Sequence, residues 1–287
     1  MSDSTSNEIF NRATGLLVIE VINSNPNGDP DKESDPRQRN DQRGEITPVS
    51  FKRKVRDLIE KKESPVWKSV STKLKLKNDK FMISESRTTE LKEMRNLDEK
   101  QFTDQFWDGR VFGNTELEKG RKIPVKTGVV QFGLGVSVSP IDIERMTTTN
   151  PPVENDKKGG MAPLAFRIVT HGIYCMPFFV NPTAAYKTGC TKEDIELLLN
   201  IIPYAYSNNQ SYIRPQVEIR HAWYIEHKSP IGSCSDFDLI NALTPNKIND
   251  PEKPSTSRAD YKIPTEKDVP EELRNKVISI RDLMKEI

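Results

Sequence analysis

Residues 16–22 form an apolar run broken only by Glu20, the pattern of a central strand covered on both faces. Residues 28–46 are polar and rich in Pro and Arg, and read as a loop. Thr47-Pro48 then supplies an N-cap and a first-turn proline. Phe51, Val55, Leu58 and Ile59 follow at helical spacing as a buried stripe. On that helix Lys52 and Arg56 flank the stripe on one side and Lys54 on the other. Arg53 points away and can pair with Asp57 four residues on. The pattern leaves these cations reaching outward from a docked helix.

Residues 63–105 carry weak periodicity and few core positions, and read as an inserted arm. Within it residues 73–77 alternate, so a strand there would carry Lys73, Lys75 and Lys77 on one face. The chain returns to the core at residues 107–113. Val130, Phe132, Leu134, Val136 and Val138 then alternate as a strand, with Gln131, Gly133, Gly135 and Ser137 on its other face. Glycine weakens a strand, so two on one face suggest close passage of another backbone. Residues 140–163 read as a second, polar insertion, and 165–180 as a long strand bent near Pro177. A helix spans 191–206, opened by a Thr191/Asp194 capping pattern, and residues 217–225 form a last strand. Residues 243–268, rich in Pro, Lys, Asp and Ser, read as a tether. Leu273, Val277, Ile280 and Met284 then fit a C-terminal helix.

The order β, α, two strands around an insertion, α, β is the split βαβ order of an RRM. The fold class is therefore α+β, with an RRM-like (ferredoxin-like) palm over 11–62 and 106–242. The arm 63–105, the insertion 140–163 and the tail 243–287 complete the organisation. The aromatic signature of base-stacking RRMs is missing, so a nucleic-acid backbone crossing the glycine face is expected instead.

At 287 residues, 34% hydrophobic and 30% charged, the chain suits one core with long polar insertions. A net charge of +1 argues against generic coating of duplex nucleic acid, though a balanced total can hide local basic tracks. Cys175, Cys190 and Cys234 are far apart, which argues against a zinc site and fits a reducing compartment. No run is long and apolar enough for a membrane span, and residues 1–7 lack a signal core. A cytoplasmic protein without cofactor is expected. Asn23, Asn25, Asn27 and Gly28 imitate the start of a calcium loop, but Ser34 stands where the bidentate acid is needed. The same loop can instead be a turn using Asn, Pro and Gly for backbone geometry, or a phosphate contact. Of His171, His221 and His227, His221 sits on the apolar face of a strand; a general acid–base pair among them is the catalytic alternative.

The chain resembles the repeating backbone subunit of type I CRISPR surveillance complexes, the Cas-seven branch of the RAMP superfamily. The likeness lies at Asn11-Arg12 and in residues 25–31, 47–56, 110–113 and 128–140. It continues through Arg145-Met146-Thr147, residues 172–182 and 193–199, and Ser211 and Arg214. Each motif is weak, but their order over two hundred residues is specific, and subtype B or C is the nearer match. The resemblance implies a hand-shaped, non-catalytic protein that coats guide RNA (crRNA) in many copies. It would present the RNA to a target DNA strand beside other Cascade subunits, with a separate helicase-nuclease cutting the DNA. The implied RNA contacts are Asn25, Asn27, Gly28, Lys52, Arg53, Lys54, Arg56, Gln131, Gly133, Gly135, Ser137, Arg145, Met146, Ser211 and Arg214. Lys73, Lys75 and Lys77 would face target DNA. The insertion 140–163 would be a thumb reaching the next copy, with Met146 as a wedge beside Arg145. The rival within the superfamily is an endoribonuclease that processes repeat RNA.

Overall fold

The apolar run of residues 16–22 becomes the interior of a central strand, β1 (Ala13–Ser24). The computed structural model describes residues 10–86, 97–114, 124, 126–150 and 162–287. After β1 the chain forms β2 (Arg43–Ile46), α1 (Pro48–Glu60) and α2 (Pro65–Leu74). Next come α3 (Glu99–Gln105), α4 (Trp107–Phe112), β3 (Val130–Phe132), β4 (Gly135–Pro140) and β5 (Ile143–Asn150). The remainder is β6 (Ala162–Val180), α5 (Lys192–Ile201), β7 (Val217–His227), α6 (Asp236–Leu243) and β8 (Val277–Asp282).

Among the described residues these strands make one antiparallel sheet in the order β8-β7-β1-β6-β4-β2, with β3 and β5 also paired to β6. The chain is thus α+β around one large antiparallel sheet. β1 is apolar on both sides because both faces of the sheet are covered. Leu17, Ile19 and Val21 meet Phe51 and Val55 of α1, Ile195 and Leu198 of α5, and Trp107. Leu16 and Val18, on the opposite face, join a second core with Trp223, Ile225, Leu239, Leu243, Tyr261, Val269 and Val277.

Both expected helix starts are present. Thr47 caps α1, its hydroxyl accepting from the Ser50 amide with Pro48 in the first turn. Thr191 and Asp194 form a reciprocal capping box on α5.

Four expectations are corrected. The tail is neither tether nor C-terminal helix: α6 and the segment beyond it cover the sheet's second face, and residues 277–282 are an edge strand on β7. The 273/277/280/284 spacing fits a helix, but Val277, Ile278 and Ile280 are β-branched, and an open sheet edge favours the strand. Residues 73–77 are not a strand. They are the last turn of α2, its left-handed cap at Lys75 and the two residues beyond it, and Val66, Trp67 and Val70 join this arm to the first core. The long strand 130–138 is two strands, broken at residues 133–134. The break shifts parity by one and exchanges the faces. Val130 and Phe132 enter the first core; beyond the break Gly135 and Ser137 point to that same side and are buried, while Val138 packs on the second core. A Cβ on Gly135 would lie 3.0 Å from Met176 Cε and 3.3 Å from Ile46 Cβ, so no ligand backbone can pass there. The expected open sheet face is likewise absent, because the tail lies on it.

Residues 143–150 pair with 162–169 of β6 as a two-stranded arm. The rest of the 140–163 insertion, residues 151–161, lies outside the described residues. Among the described residues no helix is long and apolar enough to cross a membrane.

Candidate nucleic-acid interface

The asparagine loop holds itself together. Asn25 is 2% exposed, and its Nδ2 donates to the Ser34 carbonyl at 2.7 Å. Its own carbonyl accepts from Arg214 Nε at 2.8 Å. Asn27 Oδ1 accepts from both the amide and the hydroxyl of Thr47, each at 2.8 Å. Asn27 therefore fastens the loop to the residue that caps α1. Gly28 is needed for close approach, since a Cβ would lie 2.8 Å from the Ser34 carbonyl oxygen. The expected outward amides and the Nε of Arg214 are thus engaged in building the loop. Ser211 is exposed, and its carbonyl accepts from the Arg214 amide.

The cations of α1 also depart from the outward expectation. Arg56 is 4% exposed, with Nε 2.9 Å from Asp108 Oδ2 and its terminal nitrogen 2.9 Å from Glu85. Asp108 accepts in addition from the Ser84 amide and hydroxyl and from the Glu85 amide. Lys54 is buried with Nζ 5.3 Å from the Tyr206 ring centroid. The reason is tertiary: residues 84–85 and 108 wall α1 on one side and Tyr206 on the other. Arg53 makes the expected contact with Asp57, at 3.9 Å, and donates to the Glu85 carbonyl. Lys52 is half-buried, with Nζ 5.0 Å from the centroid of Phe112. Burial lowers its pKa to about 8; Arg56 adds to the shift and Glu85 opposes it.

The arm is different. Arg145 is exposed and Met146 is 45% exposed. Met146 stands opposite Phe166, whose ring meets Tyr212 edge-on at 5.5 Å, and Tyr212 is 67% exposed. Arg145 stands opposite Arg167, which is ion-paired with Asp35 of the loop after β1. Neighbouring strand residues face opposite ways, so the arm base presents Arg145 and Arg167 on one face, beside the loop after β1, and Met146 and Phe166 with the exposed Tyr212 on the other. Sequence reasoning missed Phe166, Arg167 and Tyr212. An aromatic directly after Ser211, within a Ser/Asn-rich stretch, was the available signal.

Other expected sites are scattered. Gln131 is exposed and donates to the Gly128 carbonyl. Gly133 is half-buried against Pro177. Lys73, Lys75 and Lys77 are exposed at the end of α2. Among the described residues no cluster of His, Cys, Asp and Glu could hold a metal ion.

What fold and surface define is an α+β protein with a doubly covered sheet and one projecting, cation-bearing two-stranded arm. A family model described as CRISPR-associated protein Cas7 matches residues 11–266, and the chain belongs to that family. No curated protein matches it. Two solved structures are similar to it. One, titled "CRISPR RNA-guided surveillance complex, pre-nicking", is 13% identical with a TM-score of 0.48, covering 75% of this chain and 78% of that one. The other, titled "CRISPR RNA-guided surveillance complex", is 16% identical with a TM-score of 0.41, covering 80% and 75%.

Proposed function

We propose that the chain is the crRNA-binding backbone subunit of a type I CRISPR surveillance complex in a prokaryotic cytoplasm. Many copies coat the spacer, present it to a target DNA strand, and work with other Cascade subunits and a recruited helicase-nuclease. The observation that carries this reading is the arm base, where Arg145, Met146 and Tyr212 stand exposed on a member of the Cas7 family. A cation for a phosphate on one face of the arm, with apolar groups that can stack on or part bases on the other, suits single-stranded RNA held by its backbone. In this reading the arm is the thumb and the sheet is an RRM-like palm. The order β7-β1-β6-β4, with α1 between the first two of these strands in sequence and α5 between the last two, supports the palm. Sequence is read by base pairing, so protein contacts fall on sugar and phosphate.

The subunit has no catalytic role of its own in this reading. His171 and His227 are buried and His221 is bound to Asp282, which sets all three apart from any scissile phosphate on the surface. The test is to purify the chain, identify any copurifying RNA, and follow loading on short and long single-stranded RNA by mass photometry. Stepwise multi-copy loading on long RNA without cleavage is expected. Single-copy binding only, or cut RNA, overturns the reading.

A further inference from the structure

On α6 an aromatic side chain is displayed against the pattern of its helix. The inner side of α6 carries Leu239 and Leu243, both buried in the second core. Phe237 stands about 200° round the helix from Leu239, on the outer side, where a polar residue is the rule. It is 72% exposed. The start of the helix is nonetheless held firmly. Ser235 caps it, accepting from the Asp238 amide, and Asp236 is bound by Arg12, by the Thr14 hydroxyl at 2.6 Å and by His227 Nε2 at 3.2 Å. Phe237 is therefore presented in a fixed position, which lowers the ordering cost of burying it against a partner. Asp238, beside it, is exposed and has no cation within ion-pair distance among the described residues.

A socket lies elsewhere on the molecule. Between α2, the end of α5 and the residues after β8 is a cavity of about 200 Å³. That is smaller than the roughly 300–1,000 Å³ of a small-molecule site and suits one large side chain. Val70, Leu199 and Leu283 give it buried apolar walls. At its rim Arg281 and Glu286 satisfy each other in a bidentate pair, at 2.9 and 2.6 Å. Lys73 is exposed there, has no carboxylate within ion-pair distance among the described residues, and is the cation left to meet a partner.

We propose that the socket of one copy of this chain receives Phe237 of a second copy, with Asp238 of that second copy against Lys73 of the first. Charge selects this side chain among the exposed apolar ones. Tyr186, 75% exposed, is followed by Lys187, which Lys73 repels, and Ile231, 88% exposed, has no charged residue beside it. The socket walls belong to the first core and α6 to the second, so the two features lie on opposite faces of the sheet. A copy therefore cannot fill its own socket, and the contact is heterologous: each copy offers Phe237 to one neighbour and takes one from the other. Such a contact repeats along an RNA, whereas a two-fold contact stops at two copies. The inference rests on the multi-copy reading above, and its test keeps the two apart.

The test follows loading of the full chain on long single-stranded RNA by mass photometry, with a short oligonucleotide that holds one copy as the control. Phe237→Ala should bind the short oligonucleotide as the parent does, yet add successive copies to the long RNA ~tenfold more weakly. Asp238→Lys and Lys73→Glu should each weaken that step. The chain carrying both should regain it, because the swapped charges again oppose each other. All three side chains are exposed, so the fold is spared. Unchanged cooperative loading by Phe237→Ala, or a double variant no better than the single ones, overturns the contact. If the parent binds no RNA, the proposed function fails and the contact is read on protein alone. Asp238→Cys mixed with Lys73→Cys, both in a Cys234→Ser background, should then give a disulfide-linked pair on air oxidation that neither gives by itself. Absence of that pair overturns the contact as well.

Discussion

Residues 52–56 on α1 and residues 145–146 on β5 both present cations beside apolar residues, yet one set is turned inward and the other outward. α1 lies between the sheet and two further walls, residues 84–85 with Asp108 on one side and Tyr206 on the other, and Asp108 and Glu85 neutralise Arg56 there. On the arm Ile143 still packs against the first core, but residues 144–147 are exposed among the described residues, and Arg145 with them. A basic run marks a surface only where nothing packs on it. The difference lies in the layers around each element rather than in the residues themselves.

The comparison breaks most visibly in stability. Asp108→Ala leaves the buried Arg56 with Glu85 alone and orphans the Ser84 and Glu85 amides, and should cost about 3–5 kcal/mol in a chemical denaturation curve. Arg145→Glu should leave that curve unmoved within ~0.5 kcal/mol. If both variants were equally stable, Arg56 would be a solvated cation after all.

RNA affinity should show the opposite ranking. Tyr212→Ala should lose about 1–3 kcal/mol of binding to single-stranded RNA in a fluorescence-anisotropy titration, with the fold intact by circular dichroism. Unchanged affinity would remove the arm base from the interface.

Gly135→Val sharpens the contrast between the covered sheet and the exposed arm. Met176 and Ile46 must give way, so overpacking should cost about 1–3 kcal/mol, seen as a lower unfolding midpoint. Normal stability combined with lost RNA binding would restore the reading of an open glycine face.

The smallest effect belongs to Lys52, the α1 cation between the two extremes. Its pKa of about 8 means that it is charged below that pH and neutral above it. A phosphate favours the charged form, so RNA affinity should weaken as pH rises through about 8. Lys52→Met should abolish that dependence and flatten the salt slope by roughly one unit. A pH profile identical in parent and variant would place Lys52 outside the RNA track.

The amino-acid sequence by itself determined the local elements and the family. The two-sided run 16–22, the Thr47-Pro48 start and the Thr191/Asp194 cap are written in periodicity and capping chemistry, which act over a few residues, whereas the strand 143–150 is hidden in a segment that reads as a polar insertion. Only the tertiary structure decided which faces stay open. Residues 277–282 satisfy helical and strand spacing alike, and the free edge of β7, some fifty residues earlier in the chain, selects the strand. The break at 133–134 exchanges inside for outside with no change in composition, because strand parity is set by pairing with β6. Arg56 looks like Arg145 in sequence, and its partner Asp108 lies fifty-two residues away. Burial and charge pairing are long-range properties, so they appear only when the layers close.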